Sequence, residues 1–283
     1  RFEILELIYT KSKSNLAFDK NKNPWRCYKY IEHKRYIYKE LNNNLMLEYG
    51  KAIGHFHECL SDLDKNKINN IIPEFHNTAE YFNTLENLMI NNRNKRTDEV
   101  LEYYNSISIY KSEFDNINRL ISSKKLPKRV CHNDTKIDNI LFKEKHELVK
   151  SIIDLDTIMN NSIIYDFGDA IRVSCDKSDD NETNISKITF NISFFKHFLE
   201  GYLKESKDFI CLEEIKLLGY SPILLCLEQS IRFLIDYIQY DIYYPINYPK
   251  HNIDRGIKQL FLAKNILSQK EEIENIINSV YDS

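Results

Sequence analysis

The sequence predicts an α/β protein of the α+β kind, with a short β-rich segment over residues 1–31 and a large, mainly helical part over 32–283. Three observations lead there. Before Ile31, apolar and polar residues alternate between turn clusters, which is the period of strands. After Glu32, apolar residues recur three and four apart, which is the period of helices. Within the helical part, two short apolar runs at 139–142 and 148–153 flank a charged turn, the pattern of an antiparallel hairpin.

In chain order, residues 2–9, 16–18 and 25–31 read as strands of a small meander, separated by turn clusters at 11–15 and 19–24. Leu45, Tyr49, Ala52, Ile53, Phe56 and Leu60 then form one apolar stripe, so a helix is expected, and the change of period near residues 31–34 marks a domain junction. The stretch 60–80 is polar and loop-like. A helix is expected from Thr78, and a single helix from about Thr97 to Ser122. Pro127 follows it, because proline cannot continue a helix. After the hairpin comes a second turn at 160–162. Beyond Arg172, residues 174–184 are rich in Asp and Ser and are expected to form a mobile surface loop flanking a cleft. Helices are expected at about 190–204, 212–218, 222–240 and from Asp254 to near Val280, with Ser221 and Pro222 as N-cap and first turn of the third.

The chemistry concentrates between Val130 and Thr157. His132-x-Asp134, with Asn139 five positions after the Asp, has the spacing of a phosphoryl-transfer loop in which the Asp orients and deprotonates a hydroxyl and the Asn holds Mg²⁺. A hairpin sets residues equally far from its turn side by side, which brings Asn139 and Asp154 together at the open end, beside Asp134. An amide and a carboxylate there suit one hard cation between nucleotide phosphates. Asp166, in Tyr165–Asp166–Phe167–Gly168, competes for the metal but lies beyond the hairpin. It is read instead as an anchor accepting bonds from backbone or from Arg172, since a buried carboxylate must be paired.

Other side chains carry two readings each. Lys136 sits two after the base, placed to neutralise the transferred phosphoryl group, or it is a solvated loop lysine. Asp156 hydrogen-bonds the acceptor or caps the next turn. His132 reads as a structural ring that fixes the loop. Glu228, Arg232 and Asp236 recur every fourth residue, which taken alone is a surface ion-pair ladder. His55, His57 and His76 read as core or surface histidines rather than metal ligands.

Composition bounds the partners. The 283 residues are 42% hydrophobic and 29% charged, enough for one large core or two modest ones. The net charge is −3 and Lys is interspersed with Asp and Glu, so no basic face for nucleic acid is expected. The six cysteines show no Cys-x-x-Cys and are expected to be reduced, which points to the cytoplasm. No apolar run approaches the roughly 18 residues of a membrane span, so no membrane partner is expected. Arg1 opens directly on sequence that reads as folded, with no basic-then-apolar leader, and it is not a natural start residue, so the chain reads as part of a longer one.

The runs His132–Asn133–Asp134–Thr135–Lys136–x–x–Asn139, Ile153–Asp154–Leu155–Asp156–Thr157 and Tyr165–Asp166–Phe167–Gly168–Asp169–Ala170–Ile171–Arg172 together resemble the aminoglycoside phosphotransferase and choline kinase superfamily, most closely the N-acetylhexosamine 1-kinases. Trp25–Arg26, Gly50–Lys51–Ala52–Ile53–Gly54, Phe75–His76–Asn77–Thr78, Ile231–Arg232–Phe233–Leu234–x–Asp236–Tyr237 and His251–Asn252–Ile253–Asp254–Arg255 extend the likeness over nearly the whole chain. The resemblance implies a protein-kinase-like fold: an incomplete N-terminal β lobe and a large, mainly helical C-terminal lobe. It implies ATP-dependent phosphorylation of the anomeric hydroxyl of N-acetylglucosamine or N-acetylgalactosamine, with ATP and Mg²⁺ as cofactors. By motif it makes Asp134 the base, Asn139 and Asp154 the Mg²⁺ ligands, Arg232 and Tyr243 sugar-binding residues, and Tyr30, Ile31 and Glu32 the hinge against which adenine sits. It further implies a phosphate-covering loop and a nucleotide-binding Lys on strands before those seen here, and no residue of this chain is assigned to those roles. Two rivals stand beside it. One is a kinase of an aminoglycoside or choline-type alcohol, for which the acidic 174–184 stretch is the only local hint. The other is a truncated, non-catalytic nucleotide-binding module.

Overall fold

The computed structural model describes residues 2–91, 95–176, 178 and 182–282. The alternation before Ile31 does give strands, but short ones. Strand β1 (Leu7–Ile8) pairs with β4 (Cys27–Tyr28), and β2 (Ala17–Phe18) pairs with β3 (Pro24–Trp25), both antiparallel. The two ladders are nested in one long hairpin, whose turns place Lys13 and Lys22 in the left-handed region. Ile4, Phe18, Trp25 and Tyr30 are exposed on it. This segment meets the rest of the chain through backbone bonds: Glu3 N–H donates to Lys150 O at 2.8 Å, and Lys34 exchanges bonds with Phe142 at 2.9 and 3.0 Å.

The core forms where helices can approach closely. Helix α1 (Asn43–Cys59) is capped by Asn42, whose side chain accepts the Leu45 N–H at 2.9 Å. It crosses α6 (Ile192–Ser206) at Gly50 and Gly201: a Cβ on either would collide with a backbone carbonyl of the other helix. That contact turns the buried face of α1, with Tyr49, Ile53 and His57, toward α5 (Ile163–Ser174), every residue of which from Ile163 to Ile171 is buried. Helix α5 packs on α8 (Ser221–Ile238), which α2 (Thr78–Asn91) and α9 (His251–Leu267) flank.

Several boundaries differ from the sequence-based expectation for local reasons. The single helix expected to end at Ser122 is two, α3 (Lys95–Ser108) and α4 (Lys111–Ser122). The Ser106–Ile107–Ser108–Ile109 run consists of weak helix formers, and the Ser108 hydroxyl donates to Asn105 O at 2.9 Å. The last helix likewise starts earlier and splits into α9 and α10 (Lys270–Asp282). Helix α7 (Leu212–Leu218) has the expected bounds. Ser221 is not an N-cap; it lies inside α8 and its hydroxyl donates to Leu218 O. The turn expected at 160–162 is largely a strand, β8 (Met159–Asn161), paired with β5 (Arg129–Cys131). Of the stretch 174–184, residues 177 and 179–181 lie outside the described residues. All six cysteines are unpaired, and among the described residues no helix is long and apolar enough to cross a membrane.

Candidate active site

The hairpin predicted from apolar runs is β6 (Ile140–Phe142) with β7 (Val149–Ile152). Its register pairs Ile140 with Ile152, and the Ile153 N–H donates to Asn139 O at 2.9 Å. Asn139 therefore stands beside Ile153, one residue short of Asp154; the bulge at Leu141/Phe142 puts an extra residue on β7 and so brings Asn139 opposite Ile153 rather than Ile152. Asp154 is the first residue past the ladder, in a left-handed turn with φ 61° and ψ 54°.

Beside it the loop from His132 to Asn139 is fixed from behind by Asp166. This fully buried carboxylate accepts the backbone N–H of His132 at 2.7 Å and of Asn133 at 2.6 Å, and His57 Nε2 lies 2.8 Å away. Burial alone would raise its pKa; the hydrogen bond and charge of His57 and the His132 N–H outweigh that and hold it below the usual carboxylate range. Asp166 is thus an anchor as expected from its position, but Arg172 is not its partner: Arg172 pairs with Asp169 at 2.6 Å. His132 completes the frame. Its Nε2 lies 2.9 Å from Ile153 O and its Nδ1 accepts the Asp134 N–H at 3.2 Å, so it is the neutral Nε2–H tautomer tying the loop to the residue before Asp154.

Three predicted side chains converge in front. Asp134 Oδ2 accepts from Lys136 Nζ at 2.8 Å and from Asn139 Nδ2 at 3.0 Å, while Oδ1 has no hydrogen-bond partner among the described residues. The Asn139 amide also donates to Asp134 O at 2.8 Å, and its carbonyl oxygen has no hydrogen-bond partner among the described residues. Burial disfavours the Lys136 charge, but Asp134 outweighs it, with Asp154 and Asp169 adding to the field, and raises the lysine's pKa. Asp156 is paired with Arg26 from the nested hairpin. This ion pair closes one side of a cleft of about 330 Å³ walled by Leu5, Tyr28, Tyr30, Ile31, Leu141 and Ile153, with Asp154 at its edge. Of the expected hinge, Tyr30 and Ile31 line the cleft; Glu32 does not, and its carbonyl accepts from Lys150 Nζ at 2.6 Å.

The sequence profile of the phosphotransferase enzyme family matches residues 11–204. The chain belongs to that family. Solved structures agree in fold. An aminoglycoside phosphotransferase from Alicyclobacillus acidocaldarius superposes with a TM-score of 0.65 at 8% identity, over 97% of this chain and 78% of that one. An ethanolamine kinase from Plasmodium vivax gives 0.59 at 14% identity, over 94% and 70%. A spectinomycin phosphotransferase, solved with ADP and spectinomycin, gives 0.55 at 16% identity, over 96% and 78%. The fold of this phosphotransferase is therefore the protein-kinase-like one of aminoglycoside phosphotransferases and choline kinases.

A second cleft of the phosphotransferase, about 420 Å³, contains both Arg232 and Tyr243. The surface ladder suggested by residue spacing does not form: Glu228 is fully buried and bound elsewhere, and the Asp236 carboxylate accepts the N–H groups of Tyr243 and Tyr244 and the Asn252 amide. Arg232 is left without a hydrogen bond or ion pair among the described residues, its guanidinium 5.5 Å from the Tyr81 ring centre and 5.8 Å from those of Phe75 and Tyr244. The Tyr244 hydroxyl is buried beside it without a hydrogen-bond partner among the described residues. Residue spacing did not reveal His57, Arg26 or Glu228 as part of this architecture. Each acts through a partner more than 100 residues away, and pairings at that range leave no local signal.

Proposed function

We propose that this small-molecule phosphotransferase transfers the γ-phosphoryl group of ATP to the anomeric hydroxyl of an N-acetylhexosamine in the cytoplasm. The observation that carries the chemistry is Asp134: one oxygen is held between Lys136 and Asn139, and the other is free to take a proton. In this reading the acceptor hydroxyl gives its proton to Asp134 Oδ1 as its oxygen attacks the γ-phosphorus in line, and the bond to the ADP oxygen breaks. Lys136 sits where it offsets charge growing on the transferred group. The uncommitted Asn139 oxygen and the Asp154 carboxylate are hard donors that suit Mg²⁺, which when bound offsets phosphate charge. Residues 1–31 act as the remnant of a nucleotide lobe and hinge, with adenine against Tyr30 and Ile31, and residues 32–283 as the substrate and catalytic lobe. Unpaired cysteines support a reducing compartment.

The second cleft supports this class of acceptor. A polycationic aminoglycoside or a choline-type ammonium needs free carboxylates or open aromatic faces, whereas here a cation already occupies the aromatic box and the one lining carboxylate, Asp236, is spent on backbone. Arg232, Tyr243 and the Tyr244 hydroxyl favour a neutral ligand rich in oxygen acceptors, such as sugar hydroxyls and an acetamido carbonyl. Asp156, on the wall of the first cleft, becomes available to sugar hydroxyls only once Arg26 releases it. The test is ADP release and sugar-phosphate formation with N-acetylglucosamine, N-acetylgalactosamine, choline and kanamycin as acceptors. Transfer to a hexosamine is expected; transfer to choline or kanamycin alone overturns the assignment.

A further inference from the structure

The motif Phe75–His76–Asn77–Thr78 has no part in the chemistry above, yet its side chains are placed with care. Asn77 caps α2, its Oδ1 accepting the Glu80 N–H at 3.2 Å. Phe75 walls the Arg232 cleft. His76 and Thr78 turn inward to Glu228 of α8, which has no exposed surface: His76 Nδ1 lies 2.7 Å from Oε1, and the Thr78 hydroxyl donates to Oε2 at 2.7 Å. The other ring nitrogen, His76 Nε2, lies 3.0 Å from the carbonyl oxygen of Asn133, the residue before Asp134. The ring stacks on Tyr165 of α5, 5.2 Å between centres and 11° from parallel.

Both partners of this ring are acceptors, a carboxylate and a peptide carbonyl. A neutral imidazole has one N–H and would press a lone pair against whichever partner it failed to serve. A proton resting on Glu228 instead is opposed by the Thr78 hydroxyl, which already donates to its second oxygen, and by the Arg232 cation one helical turn on. We infer that His76 is an imidazolium kept charged by Glu228, and that through Asn133 it is a positioning residue for the loop carrying Asp134. Burial opposes charge on both members, yet each holds the other ionised, lowering the Glu228 pKa and raising that of His76. The charged and titratable groups around the pair are Glu228 on the ring, with Arg232 acting on Glu228 from the same helix, and Asp169 and Tyr165 from α5. The bond, from the His76 side chain to the Asn133 carbonyl, also joins two residues in the left-handed region, His76 at φ 60° and Asn133 at φ 65°. Because Arg232 lies on the same helix as Glu228, and Phe75 adjoins His76, the pair links the wall of the acceptor cleft to the base.

This inference rests on Asp134 as the base but can be judged apart from it. The full chain, labelled with ¹⁵N-histidine and with His76 assigned by His76→Gln, is titrated by NMR. Both ring nitrogens are expected to remain protonated from pH 6 to pH 8, and Glu228→Gln to make the ring neutral at pH 7.5. A neutral His76 ring at pH 6.5 in the unaltered protein overturns the inference, whatever the acceptor. In the same variant, hydrogen exchange over residues 130–139 should quicken. ADP release with N-acetylglucosamine or water as acceptor should lose roughly 100-fold in kcat, the scale of a misplaced catalytic group, with KM for MgATP unchanged. Its alkaline limb should move to lower pH, which a merely structural pair would not do. The double variant H76Q/E228Q carries the same chain of bonds through neutral amides and should recover at least tenfold in kcat over H76Q. A folded Glu228→Gln protein with unaltered exchange and kcat refutes the positioning role.

Discussion

Asp166→Asn is the sharpest test of how the active-site loop is held. The carboxylate takes two donors on Oδ2, the His132 N–H and His57 Nε2, and one on Oδ1, the Asn133 N–H. An amide keeps one acceptor and turns an NH₂ against what remains. Its best orientation leaves the oxygen toward His132 and His57 and sets two donors face to face at Asn133. An unmade buried bond costs about 1–3 kcal/mol, and two charge-assisted bonds fall to roughly half their strength. The total of about 3–5 kcal/mol agrees with the usual cost of breaking a buried charged pair. At about 2 °C per kcal/mol for a chain of this size, Tm should fall by roughly 6–10 °C. The sign of the pH dependence is fixed too. The folded pKa of Asp166 lies below its unfolded value, so its contribution is complete above the unfolded pKa of about 3.9 and is lost as pH falls through the folded one. Calorimetry of both proteins from pH 7 downward should show the full gap at neutrality, closing only below about pH 4. A gap under 2 °C at pH 7 would refute the anchoring role.

Asp134→Asn should leave the melting temperature and MgATP affinity near those of the unaltered protein while kcat drops by about 10²–10⁴, the range for loss of a general base; turnover within tenfold would return the role to another group. Asp154→Ala should fail differently, weakening nucleotide binding only when Mg²⁺ is present, as read by calorimetric titration with and without EDTA. Equal affinity in both conditions moves the cation elsewhere. Arg232→Ala should raise KM for the hexosamine far more than for ATP, with about 1–3 kcal/mol, or roughly five- to 150-fold, lost in kcat/KM. Normal sugar kinetics with an altered Tm would confine Arg232 to packing.

The parts of the fold legible in the sequence were those set by short-range pattern. The hairpin followed from two apolar runs and a charged turn, and α7 from its own periodicity. What sequence concealed was set by distant partners. Helix α5 carries Asp166, Gly168 and Asp169 in its middle, which break the apolar stripe that would mark it, and those residues are tolerated only because His57, the backbone of α8 and Arg172 meet them. The same cause hid Glu228. Charged residues of alternating sign every fourth position read as solvated until His76 and Thr78 arrive from 152 and 150 residues away. Strand β8 was hidden because its Met–Asn–Asn sequence has turn residues, and its side chains instead serve the loop: Asn161 Nδ2 donates to Asn133 Oδ1 at 3.0 Å.

Two left-handed residues other than glycine in the site differ in how they are held. Asn133 sits at φ 65°, a conformation that costs on the order of 1 kcal/mol or more. Its amide donates to Cys131 O and Thr157 O and accepts from Asn161, its N–H is on Asp166 and its carbonyl on His76, so the surroundings over-determine it. Glycine would adopt the angle freely but supply none of the side-chain bonds. Asp154, at φ 61°, is held only from behind, by the Ile153 N–H on Asn139 and the Ile153 carbonyl on His132. Its own carboxylate makes no hydrogen bond among the described residues. In the proposed reading, a left-handed residue whose carboxylate makes no hydrogen bond to the fold presents that group to the cation and phosphates, and contact with them offsets what its backbone conformation costs.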